Sequence, residues 1–238
     1  METKLERIAR MIKNNPSKKK EECEAVVNYL WKEKQKAIED KIPIRFKHAT
    51  FETLGEKTKY LKKAIEESLS GGRPEKMGVI FCGQAGSGKS HSAYALIREI
   101  AKTNPEAISS ILNYQEAFYH LREEMFNKTM NELGSVWDEL NNNSGFYNGL
   151  LFIDDLSSKK LTDFEADNLM MFLDRRFNNY FPFLFTTNVP SDEFVDIFGE
   201  RLASRFYGYC QIVNFDDDDF RINKEKVQDQ DLNPTKPS

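Results

Sequence analysis

The chain has 238 residues, enough for one medium domain with an appendage and a sizeable buried core. Hydrophobic residues make up 39%, charged residues 30%, and the formal net charge is -4, so any nucleic-acid binding has to use local basic patches rather than a global field. Three scattered cysteines (Cys23, Cys82, Cys210) match neither a disulfide framework nor a zinc spacing, and the sequence shows neither a secretory leader nor an apolar run near the ~20 residues of a membrane span; a reducing cytoplasm and no membrane partner are expected.

Residues 1–41 read as a helical arm of two amphipathic helices interrupted near Asn14–Ser17. Leu5, Ile8, Ala9 and Ile12 share one face of the first; Cys23, Val26, Val27, Leu30, Trp31 and Ile38 share one face of the second. Such stripes need either the body of the protein or a partner. Ile42-Pro43 ends the arm, because proline disfavours helical geometry in the residue before it. A helix is expected over 56–69, closed by Gly71-Gly72-Arg73-Pro74.

Strands and helices then alternate. Strands are expected at Val79–Cys82, Ile108–Leu112, Leu150–Ile153, Phe183–Thr187 and Tyr209–Phe215. Helices are expected from Ser90 to about Lys102, Gln115 to about Met130, and Phe164 to Asn178. This pattern is α/β: a parallel five-stranded sheet between helices, spanning 42–222 and followed by a polar tail over 223–238 expected to be disordered.

Gly83-Gln84-Ala85-Gly86-Ser87-Gly88-Lys89-Ser90 follows an apolar strand and opens a helix. This is a phosphate-binding loop. Its glycines let successive backbone N–H groups wrap an anion, and the helix N-terminus points at the same charge. Lys89 is expected at the β- and γ-phosphates, and the Ser90 hydroxyl at Mg²⁺. The strand Leu150–Ile153 ends in Asp154-Asp155; beside such a loop, Asp154 serves the Mg²⁺ shell and Asp155 polarises the attacking water. Asn188 tips another buried strand, where an amide can orient that water. Arg201 and Arg205, four apart on one helical face, can offer a guanidinium to a neighbour's γ-phosphate.

The ordered set of loop, acidic strand, Asn-tipped strand and paired arginines resembles the AAA+ ATPases, specifically the DnaC-type replicative helicase loaders and the related IstB-type transposition ATPases. The resemblance also rests on Ile42–Phe51, on Leu173-Asp174-Arg175-Arg176-Phe177-Asn178, on Phe185-Thr186-Thr187-Asn188, on Gly199–Arg205 and on Asp219-Phe220-Arg221, together covering about 42–222. It implies a P-loop NTPase (AAA+) core that binds ATP through Gly83–Ser90 and His91, with Mg at Ser90 and Asp154. Asn188 becomes sensor 1 and Asp155 the catalytic acid, with Arg205 as trans-acting finger and Arg201 second. It further implies single-stranded DNA, a hexameric replicative helicase gripped by the arm, and self-association in a ring or spiral. The short stretch after Arg221 leaves no room for a separate lid domain. Asp155 stands where many AAA+ proteins have Glu, implying slow, partner-stimulated hydrolysis, and Ser157 where relatives often have Gly.

Stacking and local positive charge make Tyr114–Arg122 and Lys159-Lys160 the candidate DNA contacts. Three other readings share the loop: an IstB-like transposition helper, a small-molecule kinase, and an ATP-dependent binding module that scarcely turns over. The kinase would need neither the Asn-tipped strand nor the arginine pair.

Overall fold

A computed structural model describes residues 19–50, 76–127 and 149–215. The expected helices over 5–12 and 56–69, the end of the helix near Met130, Asp219-Phe220-Arg221 and the polar tail lie outside the described residues.

Five parallel strands form one sheet in the order β2-β3-β4-β1-β5. They are β1 (Gly78–Gly83), β2 (Ile108–Asn113), β3 (Leu150–Leu156), β4 (Phe183–Thr187) and β5 (Cys210–Phe215). The helices are α1 (Lys19–Lys41), α2 (Lys89–Thr103), α3 (Tyr114–Asn127), α4 (Asp163–Asn178), α5 (Phe194–Phe198) and α6 (Glu200–Tyr209). The expected alternation is therefore present, with short α5 added between β4 and α6.

Both sheet faces are covered, which explains why the strands read as continuous apolar runs. Alternate residues of β1 point to opposite faces. Ile80 and Cys82 join Leu151, Ile153, Phe183 and Phe185 against α4 and α6, while Val79 and Phe81 join Phe152 and Leu184 against α2. The start of α4 is fixed by a capping box, with Thr162 accepting from the Glu165 amide while the Glu165 carboxylate accepts from the Thr162 amide. Near its other end Arg176 turns inward, and its Nη2 donates to the Gly149 and Pro182 carbonyls, tying together the entries to β3 and β4. Burial pulls this guanidinium down to about 9, so it remains a cation at neutral pH.

The second arm helix, α1, divides in two. Its last turns pack on the core: Ile38 and the following Ile42 are buried, Gln35 Nε2 donates to the Ala101 carbonyl at 2.9 Å, and Glu39 accepts from Arg98 Nε at 3.1 Å. Further up the same stripe Val27 and Leu30 are 54% and 39% exposed. The last turns of α1 thus contribute to the buried core. No described helix is long and apolar enough to cross a membrane.

Candidate functional site

Because every strand runs the same way, the C-terminal ends of β1, β3 and β4 bring Gly83–Ser90, Asp154-Asp155 and Thr187-Asn188 to one edge of the sheet. Ligand sites in open α/β sheets form at that edge. The loop bends through Gly86 at φ 86° and Gly88 at φ 91°, the latter as the N-cap of α2, a left-handed backbone that side chains disfavour. Lys89 is 5% exposed and folds back over the loop, its Nζ donating to the Gly83 carbonyl at 2.8 Å and to Ser87 Oγ at 3.3 Å. His91, in the first turn of α2, lies with its ring centroid 5.6 Å from that of His48.

Asp154 is 3% exposed and held from three directions. Its Oδ1 accepts from Ser90 Oγ at 2.8 Å and from Thr186 Oγ1 at 2.6 Å, and its Oδ2 from the Tyr94 hydroxyl at 3.2 Å. Thr186 Oγ1 also accepts from the Asp155 amide at 2.8 Å, so one hydroxyl ties both aspartates to β4. Asp155 takes a left-handed backbone, φ 60°, which re-aims its side chain where the β3/β4 register shifts. Its Oδ1 accepts from Asn188 Nδ2 at 3.1 Å. Ser90, Asp154, Asp155 and Asn188, singled out from sequence, thus meet in one network.

The donor set fits a magnesium nucleotide. Hard oxygen donors, Ser90 Oγ and Asp154, converge beside a loop of backbone N–H groups and a buried ammonium. Among the described residues no group of three or more His, Cys, Asp or Glu forms a protein cage for a metal.

The arginines lie elsewhere. Leu202, Ala203 and Phe206 turn the apolar side of α6 into the core, leaving Arg201 exposed on the other side. Arg205 is part-exposed and clamped by Asp174 of α4: Nε donates to Oδ1 at 2.9 Å and Nη2 to Oδ2 at 3.3 Å. Tyr209 adds a hydroxyl bond to the same carboxylate at 3.1 Å. Hydrogen bonding to Asp174 pushes the Arg205 pKa up. Arg205 precedes β5 by one turn, and the first β5 residue, Cys210, is in register with Gly78 at the start of β1. It therefore lies nearer the edge of the sheet opposite the phosphate loop. Among the described residues Arg205 is bonded to Asp174 of α4 and not to this chain's own loop.

The candidate DNA contacts separate as well. Tyr114 and Phe118 are buried in the core, at 3% and 4% exposure, and cannot stack on bases; Tyr119, Arg122, Lys159 and Lys160 are exposed. Three contributors had no role of their own in the sequence: Thr186 and Asp174, which stand within stretches that carry the resemblance, and Tyr94. Ser90 and Tyr94 are four apart on one face of α2, a spacing that could have drawn attention to the second once the first was placed.

No family model matches the chain, and no curated protein does either. Solved structures do. The chain is similar to the DnaC helicase loader, with a TM-score of 0.56 and 21% identity over 72% of this chain and 99% of that one. DnaI aligns with a TM-score of 0.55 and 20% identity over 73% of this chain and 94% of that one. The replication initiator DnaA, bound to AMPPCP and single-stranded DNA, aligns with a TM-score of 0.55 and 20% identity over 79% of this chain and 57% of that one. The chain shares the α/β fold of these proteins, a parallel five-stranded sheet between helices.

Proposed function

We propose that this chain is an ATP-dependent helicase loader of DNA replication, working as an assembly in which each ATP site is shared between two subunits. The observation that carries the reading is the division of the machinery between the two edges of the sheet: loop and acids on one, Arg205 on the other. A site that needs a guanidinium then has to borrow it from a neighbouring copy. The likeness in fold to the DnaC helicase loader directs the choice of partner.

In this mechanism Gly83–Ser90 and His91 hold ATP, and Lys89 leaves its loop acceptors for the β- and γ-phosphates. Ser90 Oγ and Asp154 would hold a magnesium ion, which would supply charge neutralisation at the phosphates. Asp155 accepts the proton of the attacking water. Asn188, already bonded to Asp155, holds that water and carboxylate in line. Arg205 of one copy offsets charge developing on the γ-phosphate held by another. The short arm of Asp155 keeps the basal rate low, so the nucleotide acts chiefly as a switch for assembly on single-stranded DNA and on a hexameric helicase.

The test is hydrolysis by the full chain, alone and with single-stranded DNA, a replicative helicase hexamer, or both, together with co-elution from a sizing column. Helicase co-elution and a several-fold rise in rate with DNA are expected. Turnover unaffected by either, with no helicase bound, would overturn the reading. Capture of a transposase in place of a helicase would turn it into the IstB-like one.

A further inference from the structure

We infer that Tyr94 is a positioning residue for the magnesium-side carboxylate, its hydroxyl fixing the rotation of Asp154 through Oδ2 while Ser90 and Thr186 hold Oδ1. The inference rests on the reading of Asp154 as that carboxylate. Tyr94 is 3% exposed, with one face of its ring stacked on Phe46 at 4.8 Å and 23°, and its edge against Phe152 at 5.1 Å and 87°. Packing of that kind asks only for a phenylalanine. A buried hydroxyl is costly unless it finds a partner, and this one finds Asp154 at 3.2 Å.

The geometry gives the hydroxyl a task that the other two donors cannot perform. Ser90 and Thr186 both act on Oδ1, and two bonds to one oxygen leave the carboxylate free to swing about it. The Tyr94 bond to Oδ2 removes that freedom. The ring is itself held by Phe46, whose own outer face carries the Arg45 guanidinium at 4.6 Å. Phe46 lies in the short 3-10 turn Ile44–Phe46, just after α1 docks on the core. A chain of direct contacts therefore runs from the foot of the arm through Phe46 and Tyr94 to Asp154.

The test uses the full chain and a fluorescent non-hydrolysable ATP analogue, titrated with magnesium and separately with EDTA. Tyr94→Phe keeps the ring and removes the bond. Affinity with magnesium is expected to fall about 10-fold, as when an outer partner of a metal ligand is lost. Affinity in EDTA should stay within about twofold. Phe46→Leu, which loosens the ring and spares the hydroxyl, should give a smaller loss of the same magnesium-dependent kind. Equal losses with and without magnesium, or none in Tyr94→Phe, would overturn the inference. If the wild-type chain itself binds the analogue equally well in magnesium and EDTA, the assignment of Asp154 fails instead, and Tyr94 with it.

Discussion

The two edges of the sheet are built on different plans. At the phosphate edge Asp154 is almost fully buried, and hydroxyls from α2 and β4 engage both of its oxygens. At the arginine edge Arg205 is part-exposed and rests on one similarly exposed carboxylate, with side-chain exposures of 30% and 35%. Buried, mutually bonded polar groups hold one geometry, because every departure leaves a group unsatisfied. An exposed pair can part at little cost, since water takes up the bonds. The first plan suits groups that must already be in place when a ligand arrives; the second suits a group that leaves its own surface to act on another molecule.

Four substitutions probe that contrast, from the largest expected effect downward. Arg205→Ala should lower hydrolysis in the assembled state by about 10³-fold or more, the usual worth of such a finger, with nucleotide affinity nearly unchanged. Steady-state turnover paired with analogue binding reads both. Asp155→Asn removes the proton acceptor and should reduce kcat by about 10²-fold while binding persists. Thr186→Val deletes the hydroxyl bridging Asp154 and the Asp155 amide, leaving buried groups short of a partner. A loss of about 1–3 kcal/mol in urea denaturation is expected. Asp174→Asn should cost less than about 1 kcal/mol in the same measurement, since the clamp it weakens faces water. If Asp174→Asn proved the more destabilising of the last two, the contrast between a fixed edge and an adjustable one would fail.

The phosphate edge was largely legible in the sequence because local chemistry writes it. A glycine loop between strand and helix, paired acids after an apolar run, and an amide closing another run each declare a strand tip. What could not be read are the relations that depend on register and side-chain direction. Thr186 looks like one more β-branched strand residue until the β3/β4 pairing sets it beside both aspartates. Asp174 appears as an ordinary helix-surface charge until α6 brings Arg205 to it. The left-handed backbone of Asp155 leaves no mark in composition, since aspartate is tolerated there without being required.

The arm shows a similar limit. Its periodic stripe reads as one continuous face; the last turns of α1 bond to α2, at Gln35 and Glu39. Ile38 is buried there while Val27 and Leu30 stand exposed. Periodicity tells which residues share a face, and not how far along a helix the neighbouring surface extends. The DNA candidates divide for a similar reason: Tyr114 and Phe118, four apart, share the inward face of α3, while Tyr119 faces outward.

The central claim, a site completed by a neighbour's arginine, is tested most directly by mixing two inactive variants. Lys89→Ala chains lack a working loop but carry an intact Arg205; Arg205→Ala chains carry the loop without the finger. Each alone should be close to inactive under DNA- and helicase-stimulated conditions. Mixed in equal amounts, they should regain a substantial fraction of wild-type turnover, because some loops then face an intact arginine. Mixtures no more active than the sum of their components, at concentrations where the wild type is assembled and active, would contradict a site shared between subunits.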